Sequence, residues 1–130
     1  MNLEKNYMTT ESLFFDTYAL IEIFKQNEVY KIYRNKRIVT TKLNIFELYY
    51  RIAGDFGKEI AEIILNDYYL FTIDFDEKII IEAAHFKLLN KKKKLSMTDC
   101  IGYIIAKSNG IKFLTGDKEF ENLENVEFVK

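Results

Sequence analysis

Proline is absent from the 130 residues, and cysteine and histidine occur once each, as Cys100 and His85. A lone cysteine excludes an internal disulfide and a cysteine-based zinc site. A lone histidine argues against a Cys/His metal cage or a Ser-His-Asp triad within one chain. Long hydrophobic runs are also missing: charges interrupt the apolar stretches well short of the roughly 20 residues that cross a bilayer. No N-terminal segment combines a basic start, an apolar centre and a small-residue cleavage site. The expectation is a soluble, cytoplasmic chain with no membrane contact. Neither sign of charge dominates, the net being −1, so no global positive field advertises a nucleic-acid partner. There is no low-complexity linker, no solenoid repeat and no Gly-rich phosphate loop.

What is present suits one well-buried core. The composition is 48% hydrophobic and 15% aromatic, well above that of disordered chains. One domain is expected over residues 1–130, with 1–11 a loosely held N-terminal extension in which Met8 is an alternative start. The four consecutive lysines at 91–94 suit a solvated loop or helix end, or a place beside a phosphate backbone.

Apolar spacing alternates between two periods along the chain. Strands are expected at 13–15, 37–40, 69–73, 111–114 and 126–129. Helices are expected from about 19, through Ile45, Leu48, Tyr49 and Ile52, from about 60, over 75–90 and from Thr98 to Ser108, with Gly54 and Gly57 punctuating the end of the second. Strands alternating with helices imply an α/β fold: a three-layer arrangement in which a central, mostly parallel sheet carries helices on both faces. Ligands of such folds bind beyond the carboxyl ends of the strands.

Four carboxylates fall at that end. Asp16 and Asp117 each follow an apolar strand, the second within Thr115-Gly116-Asp117. Glu47 lies in the first turns of the helix after the second strand, and Asp99 in the first turn of its helix. Each also has an ordinary use. Asp16 and Asp117 suit helix caps, Ser96-Met97-Thr98-Asp99 is close to a capping box, and Glu47 suits a solvated helix face. Convergent carboxylates repel one another unless cations hold them, and hard ions such as Mg²⁺ or Mn²⁺ prefer oxygen ligands.

Asp16-Thr17 after an apolar strand, Glu47 in a helix and the closing DCIGYIIAKSNGIKFLTGDKEF resemble the PIN-domain family, from about Leu13 to Val129. The short length is similar to that of VapC-type toxins. The resemblance implies an endoribonuclease that hydrolyses RNA phosphodiester bonds with Mg²⁺ or Mn²⁺, leaving a 5′-phosphate and a 3′-hydroxyl. Asp16, Glu47, Asp99 and Asp117 match the family's acidic, metal-binding positions. Thr115 matches a supporting hydroxyl, Phe120 the aromatic behind it and, less specifically, Thr17 a small hydroxyl position. A small antitoxin partner and homodimerisation are implied as well. The alternatives are a catalytically weak PIN-fold binding or scaffold module, a non-toxin RNA-processing nuclease, and a different phosphoryl-transfer α/β domain.

Other residues are read structurally. Cys100 suits a small core position and His85 a partly buried structural one. Asp67 and Asp74 suit solvated or capping roles. Tyr49, Tyr50, Tyr68, Tyr69 and Phe71 suit a core or dimer interface rather than a base-stacking surface.

Overall fold

The computed structural model describes residues 11–130, so Met8 and nearly all of the expected N-terminal extension lie outside the described residues. Among these, β1 (Ser12–Phe15), β2 (Arg37–Val39), β3 (Lys112–Thr115) and β4 (Val126–Phe128) form one sheet in the order β2-β1-β3-β4. Every neighbouring pair is parallel. A parallel pair needs a crossover, and helices supply it. From β1 to β2 the chain runs through α1 (Thr17–Phe24) and a 3₁₀ turn (Glu28–Tyr33). From β2 to β3 it runs through α2 (Lys42–Phe56), α3 (Lys58–Tyr69), α4 (Glu77–Leu89) and α5 (Met97–Ser108).

Alternation along the strands builds two cores. Leu13 and Phe15 pack with Leu114, Ala19 and Leu20 of α1, and Leu48 and Ile52 of α2. Phe14 and Phe113 face the other way, onto Tyr103 and Ile105 of α5 and Ala83 of α4. Both faces of the sheet are therefore covered, which gives the expected three layers and explains why β1 and β3 read as nearly unbroken apolar runs. Helix α5 lies close against the sheet because Gly102 has no side chain: a Cβ there would sit 2.6 Å from the Phe14 ring.

Several expectations need correction. Residues 69–73 form no strand. Helix α3 continues through Tyr69, and only Thr72 joins the sheet side of the molecule, through a single parallel bridge to Thr40. The run is rich in β-formers, but Tyr68 packs with Ile64 and Leu65 of the same helix on the first core. That helical packing outweighs local propensity. Gly54 lies inside α2, which ends at Gly57. His85 is exposed, because α4 turns Ala83 and Phe86 inward and leaves position 85 outside. The 3₁₀ turn was not expected at all, yet it buries Tyr30 and Tyr33. Cys100 is a buried free cysteine, as expected.

Candidate functional site

With all four strands parallel, their carboxyl ends share one edge of the molecule, and the first two acids leave directly from strands. Asp16 follows β1 and caps α1, its Oδ1 accepting the Ala19 N–H at 2.7 Å. The residue is only 2% exposed. Burial pushes its carboxyl up to about 8, opposed by a hydrogen bond from Thr115 and reinforced by the charges of Asp99 and Asp117. Asp117 follows β3 by two residues and caps a 3₁₀ turn (Lys118–Phe120), its Oδ1 accepting the Glu119 N–H at 3.0 Å. Thr115 joins these two acids. Its hydroxyl bonds Asp16 and accepts the Asp117 N–H at 3.0 Å. Phe120, fully buried, seals the turn from behind, with its ring 4.7 Å from that of Phe113.

The other two acids come from helices. Ser96 and Asp99 form a complete capping box at the start of α5. The Asp99 N–H donates to Ser96 Oγ at 3.0 Å, and the Ser96 N–H donates to Asp99 Oδ2 at 3.1 Å. The capping role expected of Asp99 is therefore present. The Asp99 carboxyl is raised by burial first, then by the charges of Asp117 and Glu47. Glu47 is on the second turn of α2, and its Oε1 accepts the Thr17 hydroxyl at 2.6 Å. Asn44 aims that hydroxyl: its Nδ2 donates to Thr17 Oγ1 at 3.1 Å, while its Oδ1 accepts the Thr41 hydroxyl at 2.6 Å. Asn44 is fully buried and was not anticipated, although its place three residues before Glu47 on the same helix put it within reach of the same neighbours.

The four acids are therefore one electrostatic set, Asp16 sensing Asp99 and Asp117, and Asp99 sensing Asp117 and Glu47. They are not equally open. Thr17, Glu47, Ser96 and Asp99 line a cleft of about 520 Å³, whereas Asp16 and Asp117 are not among its walls. Among the described residues, no three His, Cys, Asp or Glu side chains stand close enough to hold a single ion. The donor chemistry nevertheless fits a hard divalent cation. All four groups offer oxygen, and Mg²⁺ commonly keeps several waters and binds one or two carboxylates together with substrate phosphate.

Two surroundings of the site were not legible beforehand. Gly116 is wedged between rings: a Cβ there would lie 2.5 Å from Tyr18 Cε1 and 2.6 Å from the Tyr30 hydroxyl. The lysine run is tied to the Asp117 turn, Lys93 Nζ donating to the Glu119 carbonyl at 3.3 Å and the Lys94 N–H to Glu119 Oε1 at 2.6 Å. Asp67 and Asp74 stay in solvent, Asp74 facing Lys42 at 3.6 Å.

The PIN domain family model matches residues 13–126. A search of curated proteins gives no match. Among solved structures the chain is similar to VapC20 of Mycobacterium tuberculosis, described as a sarcin-ricin loop cleaving toxin. The identity is 14%, the coverage 92% of this chain and 100% of that one, and the TM-score 0.76. It is similar also to a chain of a toxin–antitoxin complex from Klebsiella pneumoniae (18% identity, 89% and 96% coverage, TM-score 0.70). A third is a chain of VapBC2 from Rickettsia felis, bound to a DNA fragment from its promoter (18%, 91% and 98%, TM-score 0.69). At these identities the likeness is one of fold.

Proposed function

We propose that this chain, which belongs to the PIN-domain family, is a divalent-metal-dependent endoribonuclease and the toxin of a toxin–antitoxin pair. The observation that carries the reading is the acidic set itself: four carboxylates at one edge of a parallel sheet, with Asp16 buried, driven up to about 8 and feeling the charges of Asp99 and Asp117, and Asp99 feeling those of Asp117 and Glu47. An apolar scaffold gains nothing from that arrangement, because unneutralised carboxylates brought together destabilise the fold. Asp16, Glu47, Asp99 and Asp117 would hold Mg²⁺ or Mn²⁺. When bound, such ions neutralise charge on the phosphate under attack and lower the pKa of an attacking water.

The chain's own residues perform the rest. Thr115 orients Asp16 and, through its accepted N–H, sets the start of the Asp117 turn. The capping box restrains Asp99 from the side of Ser96. Thr17, aimed by Asn44, holds Glu47 by one oxygen and leaves the other to orient water or complete the ligand shell. Groups restrained in this way lose little entropy when substrate arrives, which is the basis of preorganised catalysis. Hydrolysis in this reading leaves a 5′-phosphate and a 3′-hydroxyl. Among the described residues no helix is long and apolar enough to cross a membrane, which accords with a cytoplasmic enzyme. The neighbouring toxin–antitoxin complexes support an antitoxin partner, and a homodimer completes the proposal.

RNA cleavage by purified protein with Mn²⁺ or Mg²⁺, set against EDTA and against Asp99→Asn, tests the reading. Asparagine keeps the volume and most of the capping ability but removes the charge. We expect cleavage with metal and at least a hundredfold loss in the folded variant, on the order expected for losing a preorganised charged group at the reacting phosphate. The competing reading is a binding module, favoured by the lack of three acids within reach of one ion among the described residues. It predicts that neither protein cuts.

A further inference from the structure

The 3₁₀ turn between α1 and β2 carries Tyr30 into the first core, where the residue is 2% exposed. Its ring centroid lies 6.1 Å from that of Tyr33, yet the two hydroxyls differ. Tyr33 donates to Glu127 Oε2 at 2.9 Å, whereas the Tyr30 hydroxyl is enclosed and has no hydrogen-bond partner among the described residues. An enclosed hydroxyl without a partner costs stability that a plain phenyl ring would not. The Tyr30 oxygen therefore calls for a partner that the folded chain alone does not supply.

That oxygen ends beside Gly116, at the acidic site. A Cβ on Gly116 would lie 2.6 Å from it, so a side chain there would push the phenol aside. Gly116 in turn joins Thr115, which bonds Asp16, to Asp117. Of the charges around Tyr30, that of Asp16 is felt most, ahead of those of Tyr18, Glu22 and Tyr33. Glu22 already accepts from Asn27 Nδ2 at 2.7 Å, and Tyr33 is engaged with Glu127. Two donors reach the Asp16 carboxyl, the Ala19 N–H and the Thr115 hydroxyl. A carboxylate offers about four lone-pair positions, and one that is charged inside a protein needs them met. Hydrogen bonds at reacting groups are often long in an empty site and tighten when it is loaded.

Resting on the metal-dependent reading above, we propose that Tyr30 is a positioning residue for Asp16: its O–H donates to the Asp16 carboxylate once that carboxylate holds a cation. The hydroxyl then weakens the metal-free fold slightly and strengthens the loaded site. Carboxylate ligands are themselves hydrogen-bonded, and such partners set affinity as well as direction.

The test is Tyr30→Phe, which keeps the ring and removes the oxygen, with Tyr33→Phe as a matched control. Thermal melts in EDTA come first. Tyr30→Phe should melt at the wild-type temperature or above it, because no bond is lost, while Tyr33→Phe should melt lower. Mn²⁺ is then titrated into each protein without RNA, the free ion being followed by electron paramagnetic resonance. Tyr30→Phe should bind roughly ten- to a hundredfold more weakly, and Tyr33→Phe as the wild type does. In RNA cleavage at low Mn²⁺ the kcat of Tyr30→Phe should fall and then recover as Mn²⁺ is raised, with KM for RNA steady. A variant damaged in its fold would not recover. Unchanged Mn²⁺ affinity in Tyr30→Phe overturns the assignment. So does a lower melting temperature in EDTA, which would show that the hydroxyl already has a partner, water included, in the metal-free fold. The two readings fail separately. Wild-type protein that binds no Mn²⁺ removes the metal-dependent reading and the role of Tyr30 together. Wild-type binding and cleavage that Tyr30→Phe leaves untouched removes only the second.

Discussion

Asp16 and Glu47 arrive at the acidic site by different means. Asp16 is delivered by β1, is almost completely buried, and is held by the N–H of Ala19 and the hydroxyl of Thr115. Glu47 stands on the open side of α2, and its orientation depends on a relay of side chains from Thr41 through Asn44 to Thr17. The first rests on the topology, which puts a helix N-cap at the end of β1; serine, threonine or asparagine would also cap, so the carboxylate is this sequence's own choice. The second depends on three further polar choices that the fold does not require. A buried acid of the first kind strains the protein that carries it, whereas a half-buried one of the second kind, aimed only by side chains, is easily misaimed.

The contrast is most sharply tested at Asp16. Its carboxyl is raised in the folded state from 3.8 to about 8, so the fold favours the protonated form. The stability this brings is complete below about pH 4 and is lost as pH rises toward 8. Asparagine imitates the uncharged acid at every pH. In EDTA at pH 7, Asp16→Asn should therefore be the more stable protein by roughly 3–4 kcal/mol, with the gap closing as pH falls to 4. Thermal melts across that range read it directly. A gap that does not vary with pH would mean that Asp16 is not held in a desolvating site. Divalent ions should stabilise the wild type and not the variant.

Glu47 should respond in the opposite currency, activity rather than stability. Breaking the relay with Asn44→Ala, which touches no acid directly, should cost about ten- to a hundredfold in kcat, the usual effect of removing a group that orients a ligand. KM should move little, and Mn²⁺ affinity measured without RNA should fall in parallel. Full activity in Asn44→Ala would make the Thr17–Glu47 contact incidental. The smallest effect is expected at the turn between Thr115 and Asp117. Gly116→Ala forces a methyl group against Tyr18 and Tyr30 and should cost about 1–3 kcal/mol in denaturant unfolding. Adding Tyr30→Phe should return part of that loss, since the phenol oxygen is one of the two obstructions.

Much of this architecture could be read from residue order alone. The apolar strands ending in Asp16 and in Thr115-Gly116-Asp117, and the Ser96–Asp99 pattern opening a helix, are local signals, and the structure agrees with each of them. What stayed hidden depended on contacts between distant segments. Residues 69–73 have a strand's composition, yet the end of α3 holds Tyr68 and Tyr69 in a helix, and no neighbouring strand competes for them beyond one bridge. Asn44 looked like any polar residue near a helix start, because its partner Thr17 is 27 positions away. The surface position of Tyr50 was available from spacing and was overlooked. Ile45, Leu48, Tyr49 and Ile52 already define the inward stripe of α2, and Phe46 and Tyr50 fall beside it. Tyr49 and Tyr68 do border the core, while Tyr50, Tyr69 and Phe71 are exposed.

The bonds from Lys93 and Lys94 to Glu119, and from Glu119 to Asp117, join the loop before α5 to the turn that carries an acid. Four lysines in succession on an open loop are also what a lysine-cutting protease seeks. One cut in that loop would unfasten the Asp117 turn while leaving every carboxylate chemically intact. A single break in the chain just ahead of Ser96, itself in the cleft wall, would thus act on the acidic cluster through its support rather than through its carboxylates.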